Sequence, residues 1–207
     1  MSDPGTNPCS TLIDQHITAN RGERSALKYG ESRYSFNDLA ALTNRAGNVL
    51  RDLGVGVDDN VLVLVRPSPA YFAAVFSAMK IGAVPVIEGE GRATTDAAGK
   101  FGEVKAIVVD QSRVGEIDSD TTATVLVVGE EAGVHQSFVA LLRAGASSLT
   151  AVPRDQNATA LAILGQHGAK SVSGAELLIP GVFSGHAFAD SLEALAAGDT
   201  IDINRKN

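Results

Sequence analysis

The chain has no tryptophan, and aromatic residues make up only 5% of its 207 positions. Stacking platforms for single-stranded nucleic acid therefore have little to be built from. The formal net charge is −7, which also argues against binding to nucleic acid or to an anionic membrane surface. We expect neither a nucleic acid nor a membrane among its partners.

Cysteine and long apolar runs are scarce as well. Cys9 is the single cysteine, so no internal disulfide can form, and a reducing compartment is the economical interpretation. No apolar stretch approaches the roughly 20 residues that cross a bilayer, and the first residues lack the features of a signal peptide. These observations predict a cytoplasmic protein.

Metal ligands are also few. The four histidines are scattered, no pair of them has metal-ligand spacing, and Cys9 has no neighbouring histidine. We expect no metal site and no required cofactor. The histidines are His16, His135, His167 and His186.

Hydrophobic residues, by contrast, make up 44% of the chain, enough for a substantial core. From residue 61 onward, short apolar runs alternate with helical patterns, which is typical of βαβ units. The pattern predicts an α/β fold, a doubly wound and mainly parallel sheet. The predicted strands are 61–65, 84–87, 106–109, 125–128 and 159–164, and the predicted helices are 69–81, 95–101, 112–117 and 136–144.

The N-terminal part has a different pattern. Residues 25–29 and 33–36 flank a glycine-containing turn and predict a β-hairpin. A helix capped by Ser35 is expected to follow and to stop at Gly54. Near the other end, 188–195 predicts a short helix and 201–203 an edge strand.

The segment from Gly165 to Lys170 follows an apolar run, at the place where a βα phosphate loop is expected. Such loops use glycines for close approach of backbone N–H groups, a cation to offset charge, and hydroxyls as further donors. Gly165, Gly168 and Lys170 supply the first two features, but no Ser or Thr is present. His167 lies between the glycines and could act as an acid, a base or an anion contact.

The chain up to this loop resembles the N-terminal portion of the adenylate-forming superfamily of acyl- and aryl-CoA ligases, most closely the benzoate-CoA ligase branch. The resemblance is good over about residues 7–110, fair to 164 and poor beyond. It is carried by Asn7 and by segments 12–16, 21–24, 34–39 (YSFNDL), 44–50 (NRAGNVL), 53–55, 60–64, 78–86 (AMKIGAVPV), 125–129 and 137–142.

In that family the loop reads roughly Ser-Gly-Ser/Thr-Thr-Gly-x-Pro-Lys and holds the ATP phosphates during adenylation. The resemblance thus assigns phosphate binding to Gly165, Gly168 and Lys170, while Gln166 and His167 replace the hydroxyl pair. The family's remaining nucleotide, acyl and magnesium motifs lie beyond this point, and a separate domain supplies its adenylation lysine. We therefore expect a shortened, ligase-like protein that does not adenylate.

The expected organisation is a flexible leader at 1–10, a ligase-like α/β domain at 11–170, and a divergent segment at 171–207 packed on the same domain. In a complete ligase this sheet is covered by other parts of the chain. Here the tail, a second copy or a partner must cover it, which predicts a homodimer or a complex with another biosynthetic protein.

Three alternatives stay open at this point. One is a repurposed enzyme that acts on an acyl, aryl or CoA-linked substrate with His167 as acid or base. A second is a module that retains residual nucleotide or CoA binding without turnover. A third is a remnant of a ligase.

Overall fold

The computed structural model describes residues 6–89, 103–165, 168–179 and 187–203. A π-helical turn, Ser10–Asp14, leads into the short helix α1, Gln15–Thr18. Strands β1, Ser25–Tyr29, and β2, Ser32–Ser35, then pair in antiparallel orientation. The predicted hairpin is therefore present, and Gly30 provides the positive φ of 59° at its turn.

Helices α2, Phe36–Asp52, and α3, Pro69–Ile81, pack against each other and have well-defined ends. Ser35 and Asp38 form a capping box at the start of α2, in which each side chain accepts from the other's backbone N–H. Ser68 caps α3 immediately before Pro69. Gly82 ends this helix with φ +84°, in the left-handed region that favours glycine.

The main sheet has seven strands in the order β7-β6-β5-β3-β4-β8-β9. All neighbouring strands are parallel except β8 and β9, which are antiparallel, so the predicted fold class is confirmed. The strands are β3 Asn60–Leu64, β4 Val84–Glu88, β5 Val104–Asp110, β6 Thr124–Val128, β7 Gln136–Ser137, β8 Thr159–Gly165 and β9 Gly168–Ser173.

Three further helices follow: α4, Phe138–Ala144, α5, Gly174–Leu177, and α6, Ala187–Ala197. The last strand, β10, Ile201–Asp202, pairs in parallel with β1 and completes a separate three-stranded sheet, β10-β1-β2. The predicted boundary at residue 170 falls within β9.

Some predicted elements differ in the structure. The helix expected at 112–117 is a 3-10 helix, Gln111–Glu116. The helix expected at 136–144 begins two residues later, because Gln136 and Ser137 pair with β6 before Ser137 caps α4. The helix predicted at 95–101 lies outside the described residues.

Both faces of the main sheet are buried. One face packs under α2, α3 and α4 through residues such as Val61, Val63 and Val108. The other buries the alternate positions of the same strands, including Leu62 and Val109. This two-sided burial explains why the strands read as continuous apolar runs in the sequence.

Candidate functional site

The carboxyl ends of β3, β4, β5, β6 and β8 meet at one edge of the sheet, because these strands are parallel. The chain leaves β3 toward β4 on one side, and it leaves β5 toward β6 on the other. The topological switch point therefore lies between β3 and β5, the place where open α/β sheets bind ligands. We call this edge the carboxyl edge.

At the switch point, an arginine and an aspartate from the two strands are paired. Arg66 follows β3, and its Nε donates to Oδ2 of Asp110, the last residue of β5, over 3.2 Å. The backbone N–H of Arg66 donates to the same oxygen over 2.9 Å. The Asp110 side chain is only 12% exposed, whereas that of Arg66 is 81% exposed. The carboxylate is therefore the fixed partner of the pair.

A second arginine pairs with two carboxylates at the same edge. Nη1 and Nη2 of Arg113 donate to Oε2 and Oε1 of Glu88 over 2.5 and 2.7 Å, a bidentate contact. Nη2 also donates to Glu116 over 2.9 Å. The hydrogen bonds to Glu88, and then those to Glu116, hold the pKa of Arg113 above its usual value. Glu88 ends β4, the strand next to β8, whereas Arg113 and Glu116 belong to the 3-10 helix that follows β5.

The described residues of the segment predicted as a phosphate loop belong to a β-hairpin, the antiparallel pair β8–β9, and not to the βα loop expected from the sequence. Gly165 pairs directly with Gly168 at the end of the antiparallel pair β8–β9. Leu164 also accepts a hydrogen bond from the N–H of Gly89 over 2.7 Å, which ties the hairpin to β4. The hairpin thus lies at the carboxyl edge, where a βα loop was expected, and β9 follows β8 before the short helix α5.

The remaining predicted residues of this segment have different outcomes. Lys170 lies opposite Ile163 on β9 and is exposed. Because paired residues project to the same face, Lys170 shares the α3 face with Ile163, while Glu88, opposite Leu164, projects to the other face. His167 lies outside the described residues, so its role as acid or base stays a prediction.

Arg66, Glu88, Asp110 and Arg113 were missed by the sequence analysis. Each is a charged residue at or just beyond the end of a buried parallel strand, and this shared position is the signal that could have found them. When each residue is considered alone in the sequence, it is interpreted as a solvated charge beside a loop.

Three aromatic residues of α3 and one histidine of α1 are buried in the core. Tyr71, Phe72 and Phe76 are buried on α3. Burial, and secondarily the charge of Glu88, raises the pKa of Tyr71. His16 is buried beside α6. Across the described ranges, no group of three or more potential metal ligands is found, and no helix is long and apolar enough to span a membrane.

The match to a family model decides which family the chain belongs to. The model described as AMP-binding enzyme matches residues 14–128, which is more than half of the chain. The chain belongs to the AMP-binding enzyme family. The matched residues run from Asp14, the last residue of the π-helical turn, to Val128 at the end of β6.

Individual relatives cover different shares of this AMP-binding chain. A 3-hydroxybenzoate/4-hydroxybenzoate-CoA ligase of Thauera aromatica is 39% identical over 80 residues, 39% of this chain and 15% of the relative. An acetyl-coenzyme A synthetase of Bacillus subtilis is 31% identical over 136 residues, 61% of this chain and 24% of the relative. The chain thus spans about a quarter or less of these relatives.

Solved structures show the same fold at lower identity. ATP-bound MatB from Rhodopseudomonas palustris is 18% identical with a TM-score of 0.78, covering 96% of this chain and 45% of that one. A benzoate CoA ligase from Burkholderia xenovorans is 18% identical with a TM-score of 0.71, covering 83% and 35%. A likeness that covers 96% of the chain extends beyond residue 170, where the sequence resemblance is poor.

Proposed function

We propose that this chain works by binding and not by adenylation, as a ligase-like accessory protein of acyl- or aryl-CoA metabolism. The observation that carries the proposal is the pairing of charges at the carboxyl edge. Arg66 is paired with Asp110, and Arg113 with Glu88 and Glu116. The described guanidinium groups at this edge are therefore already neutralised by carboxylates of the same chain.

A polyphosphate at this edge would meet these carboxylates as well as the arginines. Catalysis of phosphoryl or adenylyl transfer depends on preorganised positive charge and donors that face the phosphates. For Arg113 to serve in that way, Glu88 would have to lose a bidentate partner while only 26% of its side chain is exposed. Leaving a carboxylate unpaired in such a place is unfavourable.

The hairpin supports the same proposal. Gln166 and His167 stand where the resembling ligases have hydroxyl residues, so side-chain hydroxyl donors are missing there. Lys170 supplies a cation, but from the face opposite to that of Glu88. Residual binding of a nucleotide or of CoA would therefore depend mainly on Lys170 and on backbone N–H groups.

The proposed partners are a second copy of the chain or another biosynthetic protein, together with an acyl, aryl or CoA-linked small molecule, in the cytoplasm. The exposed large hydrophobic residues of the described ranges are Tyr29, Val57, Val134 and Ile179, which lie in different parts of the chain. A protein partner would therefore meet a mostly polar surface, which is typical of a non-obligate interface.

Isothermal titration with ATP, AMP, CoA and benzoyl-CoA tests the proposal. We expect no saturable heat with ATP up to millimolar concentration. Micromolar ATP binding that is lost in Lys170→Ala but kept in Lys105→Ala would contradict the proposal. Lys105 is a matched control because its side chain is 40% exposed and it lies near the start of β5, at the opposite edge of the sheet.

The enzymatic alternative with His167 as acid or base has its own test. Turnover of benzoyl-CoA by the wild-type chain, abolished in His167→Ala and unchanged in His135→Ala, would replace the accessory role by a catalytic one.

A further inference from the structure

The C-terminal segment Ala187–Asp202, which contains α6 and β10, docks onto the N-terminal part of the chain. At its start, the ring of Phe188 lies 5.8 Å from that of Tyr71 and 6.3 Å from that of Phe72 on α3, centroid to centroid. At its end, β10 pairs with β1. Between these contacts, His16 of α1 holds the carboxyl end of α6.

The His16 contact is buried and specific. Nε2 of His16 lies 2.7 Å from the carbonyl oxygen of Leu195, to which the neutral ring donates when its proton is on that nitrogen. The ring packs on Phe36 at a centroid distance of 4.2 Å, and the residue is 1% exposed. This hydrogen bond holds the carboxyl end of α6 against α1.

The second ring nitrogen lacks a hydrogen-bond partner among the described residues. Nδ1 of His16 is buried and makes no hydrogen bond to any described residue. Gly198, with φ +79°, lies close to the ring, since a Cβ added there would be 3.2 Å from Nδ1. Protonation would therefore create a buried N–H donor with no acceptor among the described residues.

The charges around His16 also oppose its protonation. Arg21 and Arg24, in the turn before β1, carry positive charges that disfavour a protonated ring. Arg21 is also close to Gly198, since its Nη1 would lie 3.7 Å from a Cβ added to that glycine. Asp14, on the same helical run, is paired with Lys80, and Asp199, after α6, is exposed. Phe36 contributes an uncharged ring from α2.

Burial, first, and the two arginines hold the pKa of His16 below its usual value, although the Leu195 carbonyl acts in the other direction. A docked state with a lowered histidine pKa binds fewer protons than an undocked state. The contribution of His16 to the stability of the docked state is present in full above the ordinary histidine pKa of about 6.5. This contribution is lost as the pH falls from there toward the lowered pKa.

We propose that His16 is a pH-sensitive latch: when neutral it holds the segment Ala187–Asp202 docked, and in mild acid it makes opening of this segment more frequent while the main sheet stays folded. Release exposes Tyr71, Phe72 and Phe76 of α3, which Phe188 covers in the docked state. The opening constant rises by up to about tenfold between pH 7.5 and pH 5.5, the limit set by a group with an undocked pKa of about 6.5.

Hydrogen exchange followed by mass spectrometry tests the latch in the full chain. Exchange is measured at pH 7.5 and 5.5, corrected for intrinsic rates, in peptides that cover 187–202 and, for reference, 104–110 of β5. We expect protection of 187–202 to fall several-fold in acid while protection of 104–110 is kept. Equal protection of 187–202 at both pH values would overturn the proposal.

Variants separate the latch from general acid sensitivity. His16→Gln keeps a side-chain N–H donor but does not titrate, so its 187–202 protection should not depend on pH. His135→Gln should retain the wild-type response. A His16→Gln variant that responds to acid as the wild type does would contradict the latch.

A measurement on the wild-type protein covers the case in which His16→Gln does not fold. The proton resonances of the His16 ring, followed by NMR, should titrate below about pH 6.5. Titration at or above that value would rule the latch out.

Discussion

Asn7 makes several buried hydrogen bonds, and the stability that is lost with each bond follows from the partners that remain. Its Nδ2 lies 2.8 Å from the carbonyl oxygen of Met79, 3.2 Å from that of Lys80 and 2.9 Å from that of Val152. Its Oδ1 accepts from the backbone N–H of Cys9 over 3.0 Å, in the manner of a helix N-cap. One buried amide thus joins the first helical turn, the end of α3 and the segment that precedes β8.

In an Asn7→Ala variant, some of these partners remain satisfied. The carbonyl of Met79 still accepts from the N–H of Gly82 over 3.0 Å. That of Lys80 still accepts from the N–H of Val152 over 2.8 Å. The carbonyl of Val152 and the N–H of Cys9 have no other hydrogen-bond partner in the described part of the chain.

An unsatisfied buried backbone group costs about 1–3 kcal/mol. Two such groups, one of them part-buried, predict that Asn7→Ala lowers the free energy of unfolding by about 2–4 kcal/mol. Asn7→Asp should cost more at pH 7, because a carboxylate then faces three carbonyl oxygens. Its protonation relieves this repulsion, so the Asp variant should recover toward the Ala variant as the pH falls.

Urea denaturation of the wild type and both variants, at pH 7 and pH 5, measures these differences. An Asn7→Ala loss below about 0.5 kcal/mol, the range of ordinary surface substitutions, would refute the reasoning. Asp and Ala variants of equal stability at pH 7 would also refute it, since size alone would then explain the effect.

Three further predictions are tested by urea denaturation or, for the cysteine, by thiol alkylation. Asp14→Asn should cost about 3 kcal/mol and more than Lys80→Met, because Lys80 is 4% exposed and loses its only described counter-charge, while Asp14 is 31% exposed; equal losses would contradict this. Gly82→Ala should cost about 1–2 kcal/mol for its φ of +84°, whereas Gly56→Ala, with neither a positive φ nor a close contact, should be nearly neutral. Burial raises the pKa of the Cys9 thiol, so alkylation at pH 8 should be at least about tenfold slower in the native protein than in urea, and equal rates would show that the thiol is accessible.

The buried strands and capped helices could be predicted from the sequence because their signals are local. Strand β3 was predicted at 61–65 and is Asn60–Leu64, a continuous apolar run of a strand buried on both faces. Helix α3 has the predicted bounds because Ser68 and Pro69 favour its start and Gly82 its end.

The features that were missed depend on contacts between distant parts of the chain. Arg66 and Asp110 are 44 positions apart, and only the alignment of β3 with β5 brings them together. His16 and Leu195 are 179 positions apart. Strand β9 is recognisable only through its register with β8, because its six residues include two glycine or alanine positions and no long apolar run.

The exchange of labelled pyrophosphate into ATP, with benzoate or a hydroxybenzoate as the carboxylate, tests most directly whether this chain adenylates. The paired charges at the carboxyl edge predict no exchange above the protein-free background, in the wild type and in Lys170→Ala alike. Exchange that requires the carboxylate and disappears in Lys170→Ala would contradict the account.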